Sequence, residues 1–123
     1  MKLQNELYKI VEFEQNDEVV RFNLELNPNH YIYRAHFPEE PITPGVCIIQ
    51  ITKELLGCYM KRDMLIDMVK NVKFLSVISP IATPQITFTF TNITQQGESS
   101  QVKTQVLVSN EDVLFAKISM TCK

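Results

Sequence analysis

The chain has 123 residues, is 45% hydrophobic and 21% charged, and so has the size and composition of one globular domain spanning residues 1–123. A formal net charge of −2, with Lys and Arg scattered along the chain, leaves no basic stripe to neutralise phosphates and excludes nucleic acid as the expected partner. Three irregularly spaced cysteines exclude a disulfide framework, and no stretch approaches the ~18 apolar residues that span a bilayer; the expectation is a cytoplasmic protein with free thiols, no membrane insertion, no metal and no cofactor.

From Leu7 to Gln15 strand formers dominate, and Asn16 and Asp17 supply a turn. Val20, Phe22, Leu24 and Leu26 then alternate with Arg21, Asn23 and Glu25, which predicts a hairpin with one wet face. Asn27-Pro28-Asn29 ends the second strand, because proline lacks the donor a ladder needs, and a loop is expected from there through Pro41. Thr43 before Pro44 reads as a helix start, with the threonine hydroxyl capping free amides. That helix should run from Pro44 to about Met60. Its first turns are apolar on every side except at Gln50, the pattern of a helix enclosed by protein. A connector holding Lys61, Arg62, Asp63 and Asp67 leads to a strand from about Val69 to Ile78, and Pro80 and Pro84 bracket a turn. Three more strands follow. Ile86, Phe88 and Phe90 alternate with threonines; Val102, Val106 and Val108 share a face, as do Leu114, Ala116, Ile118, Met120 and Cys122. The predicted class is α+β: a hairpin, one buried helix and a four-strand meander, the antiparallel sheet wrapped round the helix.

Chemistry concentrates in Ala35-His36-Phe37-Pro38-Glu39-Glu40-Pro41-Ile42-Thr43-Pro44-Gly45-Val46. This stretch resembles the signature of the 3-hydroxyacyl-acyl-carrier-protein dehydratases, in which a His-Phe-Pro-Gly-x-Pro-x-x-Pro-Gly-Val run leads into the central helix of a hot-dog fold. His36, Phe37, Pro38, Pro41, Pro44, Gly45 and Val46 match at the right spacing, and the order of strands extends the likeness over the chain. The resemblance implies a single hot-dog domain acting on an acyl thioester of a carrier protein or CoA. His36 would be the base, and the Gly45 N–H at the positive end of the helix dipole would polarise the carbonyl. Phe37, Pro44 and Val46 would line the substrate site. The family carries its acid on the partner subunit's helix, so a homodimer or higher even oligomer is implied.

Two positions depart from the pattern. The family's acid falls fourteen residues after the histidine, where this chain has Gln50, and glutamine four residues on is replaced by Glu54. An amide has no proton to give, and helix neighbours at that spacing lie ~5–6 Å apart, so Glu54 is not an automatic substitute. Glu39 stands where the family has glycine. Both Gln50 and Glu54 remain candidate catalytic residues, each against a plain structural use: a hydrogen bond inside the fold for Gln50, a solvated or salt-bridged helix position for Glu54. His30, Cys47 and Cys58 read as turn or packing residues. Three functions fit: a dehydratase with an altered site, a hot-dog thioesterase in which Glu54 or Gln50 positions water, and a non-catalytic acyl-binding subunit.

Overall fold

A computed structural model describes residues 2–35, 39–95 and 97–123; His36, Phe37 and Pro38 lie outside the described residues. The elements are β1 (Tyr8–Asn16), β2 (Val19–Leu26), α1 (Ile32–Ala35), α2 (Gly45–Met60), β3 (Ile66–Phe74), β4 (Gln85–Gln95), β5 (Val102–Ser109) and β6 (Leu114–Cys122). The strands form one antiparallel sheet in the order β1-β2-β4-β5-β6-β3.

The alternation of large apolar residues sets the register. Phe22 faces Phe88, Phe88 faces Val108, Val108 faces Ala116 and Ala116 faces Phe74, so one apolar row crosses the sheet from β2 to β3. Val20, Phe90, Val106, Ile118 and Val72 form the next row. A one-residue slip would turn both rows to water, which is why this pairing is strongly specified. The helix covers the rows with Cys47, Ile48, Ile51, Thr52, Leu55 and Leu56, a buried stripe at helical spacing. An antiparallel sheet curved about one long helix is the hot-dog arrangement.

Four local expectations need correction. The strand after the helix does not enter a meander: β3 pairs with β6 at the far edge, and the meander is β4-β5-β6. The return segment, residues 75–84, is too long for a hairpin. It passes the helix opening, where the Thr43 N–H donates to the Ile78 carbonyl at 2.8 Å, and delivers the Pro84 carbonyl to the Leu26 N–H at 2.7 Å beside β2. Second, the loop expected through Pro41 contains α1, supported by the Ile32 N–H donating to His30 Nδ1 at 3.1 Å and by burial of Tyr33. Third, Thr43 does not cap α2. Pro44 is the N-cap, and the Thr43 hydroxyl instead meets the Tyr33 hydroxyl at 2.9 Å in the interior. Fourth, α2 is not enclosed on all sides within one chain. The sheet covers a single face, leaving Val46 and Cys58 exposed and Gln50, Lys53 and Glu54 half-buried.

The candidate active site at the helix opening

Pro44 enters α2 in an extended conformation, φ −61° and ψ 145°, so the amides of Gly45 and Val46 open the helix at the positive end of its dipole. At Gly45 the absence of a side chain leaves room for the half-exposed Phe74 ring, which would have to shift if a Cβ were added. A Cβ at that position would stand 2.8 Å from Cζ of Phe74, whose ring ends the apolar row on β3. Val46, one residue on, is 68% exposed, and Pro44 is buried. Leu75, Val77 and Ile81 also present exposed apolar side chains on the segment that passes this opening. Glu39 is exposed in the turn before it. His36 and Phe37, assigned to the site by resemblance, lie outside the described residues.

One and two turns along the helix, Gln50 and Glu54 are joined. Gln50 Nε2 donates to Glu54 Oε2 at 2.8 Å. The same oxygen accepts from the Leu3 N–H at 2.8 Å, while Oε1 accepts from the Gln4 N–H at 2.8 Å and the Tyr8 hydroxyl at 2.9 Å. The Glu54 carboxylate therefore ties the segment before β1 to the middle of α2. A cleft of about 710 Å³ opens beside this cluster, with Lys2, Lys53, Lys61 and Arg62 on its walls. Tyr8 is the member of the cluster that sequence reading missed. It sits 46 residues from Glu54, and a tyrosine opening a strand carries no local signal of a distant acceptor.

Burial, then the nearby Glu54 charge and its hydrogen bond, push the Tyr8 hydroxyl well above its ordinary value of 10.0. A group whose pKa is raised by folding stabilises the fold fully below its unfolded pKa and loses that contribution as pH rises. Stability should therefore decline above pH ~10 through Tyr8, and Tyr8→Phe should flatten that decline, as read from denaturant midpoints at pH 8 to 11. Burial likewise raises the thiols of Cys47, Cys58 and Cys122, the last to about 11, so none is an activated nucleophile. His30 stacks on Tyr31 with ring centroids 4.4 Å apart. Among the described residues no three His, Cys, Asp or Glu side chains converge to hold a metal ion, and no helix is long and apolar enough to cross a membrane.

Comparison with known proteins places this arrangement. Residues 12–114 match the family model for the ApeI-like dehydratases, described as ApeI dehydratase. A relative from Clostridium botulinum, 3-hydroxyacyl-[acyl-carrier-protein] dehydratase FabZ, is 43% identical over 42 residues, which is 34% of this chain and only 28% of the relative's length. Among solved structures, the dehydratase heterocomplex ApeI:P from Xenorhabdus doucetiae superposes with a TM-score of 0.69 at 17% identity, covering 93% of this chain and 96% of that one. A thioesterase, HI1161 from Haemophilus influenzae, gives 0.62 at 14% identity over 95% of this chain and 78% of that one. The solved structures share the fold, and the family match runs from β1 to the start of β6: the chain belongs to the ApeI-like dehydratase family of hot-dog proteins.

Proposed function

We propose that the protein interconverts 3-hydroxyacyl and 2-enoyl thioesters, carried on an acyl carrier protein or CoA, as a hydro-lyase of fatty acid or related acyl-chain synthesis. The observation that carries this reading is the family match across residues 12–114, joined to a His36-to-Gly45 motif that leads into the opening of α2. His36 removes the proton beside the thioester carbonyl. The Gly45 amide, backed by the helix dipole, takes the enolate-like charge that develops on the carbonyl oxygen, and Phe37, Pro44 and Val46 line the approach. The carbon–oxygen bond to the 3-hydroxyl then breaks. Gln50 has no acidic proton to give, and Glu54 accepts hydrogen bonds at both oxygens. The proton taken by His36 is therefore handed to the departing oxygen by the same imidazole, and one water leaves with no net proton consumed.

A second copy completes the site in this reading. Among the described residues β3 pairs only with β6, so its other edge is open, and Met68 on that strand is 58% exposed. An open strand with apolar neighbours favours pairing with a like strand. Light scattering should give twice the chain mass; a mass that doubles only when a different hot-dog subunit is added would assign a heterocomplex, the kind of assembly named for the relative from Xenorhabdus doucetiae.

The reaction is tested by following hydration of a four-carbon and an eight-carbon 2-enoyl thioester. Saturable hydration supports the proposal. Release of free thiol without hydration would instead make the protein a thioesterase, and binding without either turnover would make it an acyl-binding subunit.

A further inference from the structure

We infer that the outer face of the sheet carries a binding site of its own, a groove across β3, β6 and β5 that takes a small dianionic oxyanion, a phosphate or a phosphomonoester, between Lys73 and Lys117. The helix covers the inner face with Ile48, Ile51 and Leu55, so this groove is separate from the opening of α2. It encloses about 250 Å³, with Asn71, Lys73, Gln105, Lys117 and Ser119 as its polar lining. Register brings them together. Lys73 stands directly opposite Lys117, and in the next outward row Asn71 stands opposite Ser119 and Ser119 opposite Gln105. Along each strand they alternate with Val72, Ile118 and Val106 of the inward row.

Two like charges facing each other in an antiparallel ladder repel, and a carboxylate beside them would relieve the repulsion. None is set there. β5 and β6 contain no Asp or Glu, and Asp67, the one acid of β3, is engaged by Lys123 at 3.4 Å and by the Gln101 amide at 2.9 Å. Among the described residues neither Lys73 nor Lys117 has an ion-pair or hydrogen-bond partner for its ammonium group. The outward row through them runs Arg21, Thr89, Leu107, Lys117 and Lys73, and meets a carboxylate only at Glu14 on β1. A lysine on an open edge strand discourages unwanted pairing, which accounts for Lys73 but not for Lys117 on the interior strand β6. An oxyanion between the two ammonium groups supplies the missing charge. Each ammonium offers three donors, and the Asn71 amide and Ser119 hydroxyl add neutral donors for the remaining oxygens.

Inorganic phosphate, titrated at constant ionic strength, tests this through the backbone amide resonances of β3 and β6. Those of Asn71, Lys73, Lys117 and Ser119 should shift saturably at millimolar phosphate, and chloride should not reproduce the shifts. Lys117→Gln should weaken binding about tenfold, because one of two charged donors is lost. The same substitution should raise the melting temperature in phosphate-free buffer, where the like-charge pair is unrelieved, and phosphate should raise that of the wild type more than that of the variant. Shifts that stay linear, equal shifts with chloride, or wild-type affinity in Lys117→Gln would overturn the inference. Comparing CoA with 3′-dephospho-CoA separates the sources of the anion: saturable shifts of these resonances by CoA alone assign the groove to a nucleotide phosphomonoester, and by neither compound to free phosphate.

Discussion

Replacing His36 with alanine should lower the rate of 2-enoyl thioester hydration ~10²- to 10⁴-fold, the range a general acid–base group typically supplies. The loss is expected near the upper end, because Glu54, Tyr8 and Cys47 are each committed elsewhere. Glu54 accepts hydrogen bonds at both carboxylate oxygens, the Tyr8 hydroxyl donates to it and holds its proton far into the alkaline range, and the Cys47 thiol is buried with its proton tightened. Gln50 does not titrate at all. The measurement is kcat/KM in both variants beside calorimetric binding of a saturated acyl thioester, which should change little because the imidazole is a small part of the contact. Turnover in His36→Ala within threefold of wild type would remove the imidazole from the mechanism.

The fold was readable where short-range periodicity reports burial directly. Ile86, Phe88 and Phe90 alternate with threonines because one face of β4 lies in the core, and the same logic places Val102, Val106 and Val108 on β5. Pro44 and Met60 bracket α2 to within one residue. What periodicity does not carry is the order of strands. A strand at Ile66–Phe74 looks the same in sequence whether its neighbour is β4 or β6, and the choice follows from the length of residues 75–84 and from Ile78 closing over Thr43. The Thr43 hydroxyl illustrates the same limit on a smaller scale. Capping preference is a local tendency worth ~1 kcal/mol, and a buried Tyr33 hydroxyl needing a partner outweighs it.

The site divides along the same line. Motif spacing identified the helix opening at Pro44-Gly45-Val46, since a linear pattern suffices for residues that are neighbours in the chain. The resemblance also sets Gln50 and Glu54 against an acid and an amide at those positions. It did not reveal what holds Glu54, because Leu3, Gln4 and Tyr8 lie 51, 50 and 46 residues away and only folding brings them together. Nor did it show that Gly45 faces Phe74, a contact fixed by the end of β3.

The largest gain in activity should come from Gln50→Glu. The substitution puts a carboxyl group at the position where the resemblance to the 3-hydroxyacyl-acyl-carrier-protein dehydratases places an acid, against a Glu54 carboxylate that already accepts from Leu3, Gln4 and Tyr8. At the 2.8 Å separation now spanned by Gln50 Nε2, two carboxyl groups cannot both be ionised, and one proton is shared between them. Leu3, Gln4 and Tyr8 already donate to Glu54, so the new carboxyl group meets it by donating its own O–H. The variant then presents a carboxylic acid in place of an amide. In the proposed reaction, an acid at position 50 should raise dehydration of a 3-hydroxyacyl thioester ~10²- to 10⁴-fold, with hydration rising alike because both directions share one transition state. The gain should fade on the alkaline side of the profile as the shared proton is lost. A gain that stays flat with pH would place its origin elsewhere, and a fall in rate would mean that the amide oxygen at position 50 already performs a task no carboxyl group can take over.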